Sequence, residues 1–274
     1  MRNLWRASAS DGRFCSCYVA RMPNLAVNGR TVYYAESGFG GTTLVLIHGS
    51  GGDHTTWGPQ LEGLASAATL VALDLPGHGA SSGEGCDTIA DYATLVRQFL
   101  AALGRGAVIL AGHSLGGAIA QALALDAPPL LRGLVLVGTG GRLRVLPELF
   151  EILTRDYTEA VAFMTERAWS PSSPAELKEL GRRTVSATPP SVTRGDFAAC
   201  NSFDVMDRLG EIRLPTLVVV GEEDRLTPPK YAEFLARSIA SARLVRIPHA
   251  GHFVSLERPD EVNQAIRDFL GGLE

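Results

Sequence analysis

Residues 107–126 read A-V-I-L-A-G-H-S-L-G-G-A-I-A-Q-A-L-A-L-D. Val108-Ile109-Leu110 is the apolar run of a fully buried strand. The Ala- and Leu-rich run after Gly117 has too few polar residues for a surface helix and predicts a buried one. Between them stands Gly112-His113-Ser114-Leu115-Gly116, a G-x-S-x-G at a strand-to-helix turn. A serine at the tip of so sharp a turn is held in a strained backbone conformation and thrust out of the fold. The residues two before and two after it approach each other, which Gly112 and Gly116 permit. A helix starting at Leu115 presents free N–H groups and a partial positive charge to any oxyanion beside Ser114.

The alternation of strand and helix continues outward. Upstream, Asn28-Gly29 between two β-rich runs predicts a hairpin. Thr43–Ile47 and Thr69–Leu73 are buried strands, and a helix fits Thr88–Leu103. Downstream, Leu134–Val137, Thr216–Val220 and Ala242–Ile247 read as strands, with helices over Lys230–Ile239 and Pro259–Leu270. Such alternation predicts an α/β fold, a mostly parallel eight-stranded sheet with helices on both faces. Residues 140–211 interrupt it. They carry no strand signal but several short amphipathic helices, one opened by Pro147 and one capped by Ser173 with Pro174 at its first position. They are too regular for a linker and too long for an ordinary loop. The expected organisation is a core of residues 22–139 and 212–274 with a helical cap at 140–211. Residues 1–21 carry a short apolar stretch that is a poor signal-peptide h-region, and they read as a flexible tail or as an upstream start that biology does not use, with the folded pattern beginning at Met22.

The 274 residues are ordinary for a globular protein, with 46% hydrophobic and 20% charged residues. A net charge of −4 speaks against nucleic acid and anionic membranes. No apolar run reaches the ~18 residues of a membrane span. Four cysteines are too few for a disulfide scaffold and lack metal-ligand spacing, so reduced thiols, a cytoplasmic location and no metal are expected. The oligomeric state is left open.

In sheets of this kind, ligands bind beyond the carboxyl ends of the strands. His48-Gly49-Ser50, Ser114, Asp224 and His252 each follow a strand, and Ser, Asp and His occur in that chain order. With H-G-S-G-G at 48–52, D-L-P-G-H-G-A-S at 74–81, G-H-S-L-G-G at 112–117, P-T-L-V-V-V-G-E-E-D at 215–224 and H-A-G-H-F at 249–253, the chain from about Met22 to Leu270 resembles the α/β-hydrolase superfamily, in its cap-bearing esterase-like branch. The resemblance implies Ser114 as nucleophile, His252 as base, Asp224 as its acid partner, and the backbone N–H groups of Ser50 and Leu115 as the oxyanion hole. It favours His252 over His249, and Asp224 over Glu222 and Glu223. Asp74 belongs to the structural D-x-P-G-x-G turn. His48 and His78 read as buried structural residues, and Asp53 and His54 as a solvated loop. Gly49, His113, Phe150, Trp169 and Phe253 are the candidate pocket residues, with Leu149, Phe163 and Met164 from the cap. The expected activity is cofactor-independent hydrolysis of a small, mainly apolar carboxylic ester. Cleavage of C–C bonds in meta-cleavage products, lactone hydrolysis and perhydrolysis stay open on the same triad, as does a non-catalytic ligand sensor. His113 departs from the Asn that C–C hydrolases tend to carry before the nucleophile.

Overall fold

The computed structural model describes residues 21–126 and 129–273. The expected tail lies outside these residues except for Arg21, whose backbone pairs with Glu36 through hydrogen bonds of 2.9 and 2.7 Å. The first hairpin joins β1 (Asn24–Val27) to β2 (Arg30–Ser37). Its turn residues Asn28 and Gly29 both have positive φ, 46° and 77°, the backbone that matches the twist of paired strands.

Six further strands complete one sheet: β3 (Thr43–Ile47), β4 (Thr69–Leu73), β5 (Val108–His113), β6 (Leu131–Val137), β7 (Thr216–Gly221) and β8 (Ala242–Ile247). The order is β1-β2-β4-β3-β5-β6-β7-β8, with β1–β2 and β2–β4 antiparallel and the other pairs parallel. Side chains alternate across it. Val45, Ile47, Val108 and Leu110 enter one apolar cluster, and Leu44, Leu46, Ile109 and Ala111 the other. The first is closed by α2 (Ile89–Leu103), α3 (Leu115–Leu125) and α8 (Pro229–Ser238). The second is closed by α1 (Gly58–Gly63), the short α9 (Val254–Glu257) and α10 (Pro259–Gly271). Burying each Leu, Ile or Val contributes about 1.5–3 kcal/mol, so both faces need a cover.

Between β6 and β7 lie α4 (Pro147–Arg155), α5 (Tyr157–Ala168), α6 (Ala175–Ala187) and α7 (Pro190–Ser202), then a 3-10 turn at Met206–Glu211. Helices α4, α5 and α7 share a small core of Leu149, Ile152, Leu153 and Ala160, flanked by Tyr157, Phe163, Met164 and Phe197. Pro147 opens α4 as expected. The expected cap at Ser173 does not form. Helix α6 begins at Ala175 with no side-chain cap, and Ser173 Oγ instead donates to Glu257. A buried carboxylate outcompetes a helix N–H for that hydroxyl. Among the described residues, no helix is long and apolar enough to cross a membrane.

Candidate active site

Strand β5 delivers Ser114 at a strained turn, with φ 52° and ψ −113°. A side chain on Gly112 would overlap the backbone of Gly116, and one on Gly116 would overlap the carbonyl of Ile47. The turn therefore fits only because both are glycine. Helix α3 follows directly, and Gly117 N and Ala118 N donate to the Ser114 carbonyl at 2.9 and 3.2 Å. The carbonyl also accepts from Thr139 Oγ1 at 2.9 Å.

The loop after β3 lies against this turn. A Cβ on Gly49 would stand 2.9 Å from His113 Nδ1 and 3.2 Å from Ser114 Cβ. Close backbone approach thus explains that glycine. His48 anchors the loop from below. Its Nδ1–H donates to Gly49 O at 2.8 Å and its Nε2 accepts from Leu75 N at 3.0 Å. Burial, with His78 nearby, pushes His48 down to about 4, so it stays neutral.

Beyond β7 three acids follow one another and only one reaches the histidine. His252 Nδ1 is 2.9 Å from Asp224 Oδ2, and both side chains are buried. Glu222 faces Arg246 at 3.4 Å, whereas Glu223 accepts from Ser170 Oγ at 2.6 Å. Asp224 Oδ1 accepts the N–H groups of Leu226 and Thr227, each at 2.8 Å, and Oδ2 also accepts Thr227 Oγ1 at 2.8 Å. Burial would raise the Asp224 carboxyl, but His252 and these donors outweigh it and hold it below the usual range. Thr227 escaped the sequence reading, since a lone Thr three residues past an acid is no signal.

His252 is held from the insertion side as well. Its N–H donates to the Ala168 carbonyl at 2.7 Å, and buried Glu257 accepts from Gly251 N at 3.0 Å and Ser170 N at 2.9 Å. His113 Nε2–H donates to the His252 carbonyl at 2.9 Å. Burial and the neighbouring imidazole push His113 down to about 3, so it carries no proton on Nδ1. His249, with φ 54°, is largely exposed 3.6 Å from Glu223.

Ser114 and His252 line one cavity of about 550 Å³, together with Gly49, Ser50, His113, Trp169 and Phe253. Trp169 stacks on Phe253 with ring centroids 4.7 Å apart. In this state His252 hydrogen-bonds Asp224 and, at 3.2 Å, Thr227, while Ser114 Oγ bonds no described residue. Phe150 does not line the cavity; Leu149 does. One residue turns a helix by about 100°, and α4 turns Leu149, Ile152 and Leu153 inward while Phe150 stays half-buried. His54 also departs from expectation. It is no solvated loop residue but bonds Asp74 through its N–H at 2.7 Å and its ring at 2.8 Å. Arg144, Arg225 and Lys230 add positive charge to the cavity wall.

The family profile of the alpha/beta hydrolase family matches residues 44–265. The chain is 31% identical to the RutD protein of Azorhizobium caulinodans, named for carbamate hydrolysis, over 89% of this chain and 96% of that one. It is also 31% identical to the pimeloyl-[acyl-carrier protein] methyl ester esterase of Aliivibrio salmonicida, over 88% and 96%. Among solved structures, a thermophilic esterase is 38% identical with a TM-score of 0.84, covering 93% of this chain and 99% of its own. The strained serine, the buried Asp–His pair and these likenesses converge: the chain belongs to the alpha/beta hydrolase family.

Proposed function

We propose that the protein is a serine hydrolase that cleaves carboxylic esters through an acyl-enzyme. The carrying observation is the 2.9 Å bond from His252 Nδ1 to buried Asp224, with His252 and Ser114 on the wall of one cavity. A proton on Nδ1 leaves Nε2 free to accept the Ser114 proton as Oγ attacks the ester carbonyl. Asp224 stabilises the imidazolium so formed. The N–H groups of Ser50 and Leu115 take up the negative charge of the tetrahedral intermediate, each worth about 10²–10³ in rate. Its collapse expels the alcohol, which receives the proton from His252. Water then attacks the acyl-enzyme by the same route in reverse.

The inserted helices roof the cavity with Leu149, Phe163, Met164 and Trp169, which suits an apolar acyl group. The cations at its wall favour substrates that are not apolar throughout. A fluorophosphonate probe should label the protein once, at Ser114, and Ser114→Ala should abolish both labelling and turnover of p-nitrophenyl esters. Full turnover by a folded Ser114→Ala protein refutes the covalent mechanism. Labelling without ester turnover, but with hydrolysis of lactones or meta-cleavage products, moves the activity to those substrates. Binding with neither marks a sensor.

A further inference from the structure

Asp196 stands on α7, in the insertion, and its side chain is completely buried. Its Oδ2 accepts from Gly51 N at 2.8 Å and from His78 Nε2 at 2.9 Å, and its Oδ1 accepts from the Tyr92 hydroxyl at 2.6 Å. All three donors belong to the core. The His78 imidazole is raised above its usual value although burial opposes this, because the Asp196 charge and hydrogen bond outweigh the desolvation. That His78 ring lies 4.8 Å from the ring of His48, which anchors the same loop at Gly49.

Gly51 is gripped on its other side too. Thr188, between α6 and α7, donates its hydroxyl to the Gly51 carbonyl at 2.9 Å. Ser50 Oγ lies 3.6 Å from Cys200 Sγ of α7. Meanwhile Gly52 N donates to Gly49 O at 3.0 Å, closing the loop on itself. The Gly49 carbonyl shares a peptide plane with Ser50 N–H, and Gly51 N–H lies in the next plane. The Ser50 peptide is thus bracketed on both sides. A loop with glycine at 49, 51 and 52 has little stiffness of its own, so external bonds must orient it, and those to a buried carboxylate are the strong kind.

We infer that Asp196, with Thr188, is a positioning group for the oxyanion hole, tying the Gly49–Gly52 loop to the inserted helices so that donor geometry depends on where the insertion sits. This rests on the reading of Ser50 N–H as an oxyanion donor. Roof and hole then move as one unit, and a substrate that draws the insertion down also tightens the site that stabilises its transition state.

Asp196→Asn preserves the loop bond: its amide oxygen accepts from Gly51 and its NH2 donates to the Tyr92 oxygen. Asp196→Leu removes the bond. Tyr92→Phe removes a partner that never touches the loop. The measurements are kcat and KM on p-nitrophenyl butyrate, and the Ki of phenylboronic acid, which forms a tetrahedral adduct on serine. Expected for Asp196→Leu is a kcat loss of about 10- to 100-fold, part of the cost of a whole donor, with a parallel rise in Ki and KM within about threefold. Asp196→Asn should return to within about fivefold of wild type, and Tyr92→Phe within about threefold. A folded Asp196→Leu protein with unchanged kcat overturns the inference, as does an equal loss in all three variants. If Asp196→Leu fails to fold, Thr188→Val decides: about 3- to 10-fold in kcat supports the clamp, and no change overturns it. A wild type without ester turnover or Ser114 labelling would sink the parent reading alone. The clamp would then be read from hydrogen exchange of the Gly51 amide, slow in wild type and at least about tenfold faster in Asp196→Leu if the clamp holds, and unchanged if it does not.

Discussion

Asp224→Asn replaces one oxygen of a carboxyl group in which both oxygens already face donors. At Oδ1 two backbone N–H groups converge at 2.8 Å, and an NH2 cannot face them. The amide oxygen must therefore take that site, and the NH2 must take the place of Oδ2, 2.9 Å from His252 Nδ1. Thr227 can rotate its hydroxyl to accept; His252 can accept only with its proton on Nε2. That nitrogen then cannot receive the Ser114 proton. The same exchange in a serine protease lowers kcat about 10⁴-fold, equivalent to about 5 kcal/mol of transition-state stabilisation. Folding should suffer little, because an amide has no charge to desolvate, and the melting temperature should stay within a few degrees. The assay is kcat on p-nitrophenyl butyrate with thermal melts, alongside Glu222→Gln and Glu223→Gln. These two face Arg246 and Ser170, not His252, and should lose less than about threefold. A folded Asp224→Asn protein with a tenth or more of wild-type kcat refutes the tautomer reasoning. A crippled Glu223→Gln with a near-normal Asp224→Asn refutes the choice of acid.

Backbone strain at Ser114, φ 52°, costs about 1–3 kcal/mol and is relieved by glycine; Ser114→Gly should melt higher than Ser114→Ala while both are inactive, and an equal or lower melting point contradicts the strain. His113 and His48 are held at about 3 and about 4, below the ordinary value of about 6.5. Both favour the folded state when neutral, so their contribution is present above pH ~6.5 and is lost as pH falls below it. Between pH ~6 and ~4.5, chemical denaturation should show stability declining by up to about 1.4 kcal/mol per pH unit for each histidine. His113→Asn should remove one share of that slope, and an unaltered slope would contradict the buried neutral state. His54 and His78, raised by Asp74 and Asp196, have the opposite sign. Their contribution is complete below pH ~6.5 and fades only as pH climbs through their raised values.

The fold was legible because its signals are local. Strand periodicity, the Asn28-Gly29 turn and the glycines around Ser114 each declare themselves within a few residues. The Asp224–His252 pair was legible because the two sit at neighbouring strand ends with family-like spacing. Asp196 was not, because its bond to His78 spans 118 residues, and nothing around an Asp on an amphipathic helix says which core group it will meet. Ser173 was misread for the same reason, its partner Glu257 lying far along the chain. Phe150 was misplaced because a helix with several apolar residues leaves its phase ambiguous until packing selects Leu149, Ile152 and Leu153.

From β5 onward, the order of strands in the sheet is also their order of synthesis, β5-β6-β7-β8. A growing chain emerges with Ser114 and the glycine loop first, then the helices that carry Thr188 and Asp196, and only then Asp224 and His252. Until β7 arrives, β6 is an open edge, a template for pairing with another chain. If the proposed triad holds, a chain that stops after α7 carries Ser114 with neither its base nor its acid, and that serine is inert. On the proposed mechanism, activity would therefore report on the last strands to leave the ribosome, β7 and β8, which carry Asp224 and His252 at their ends.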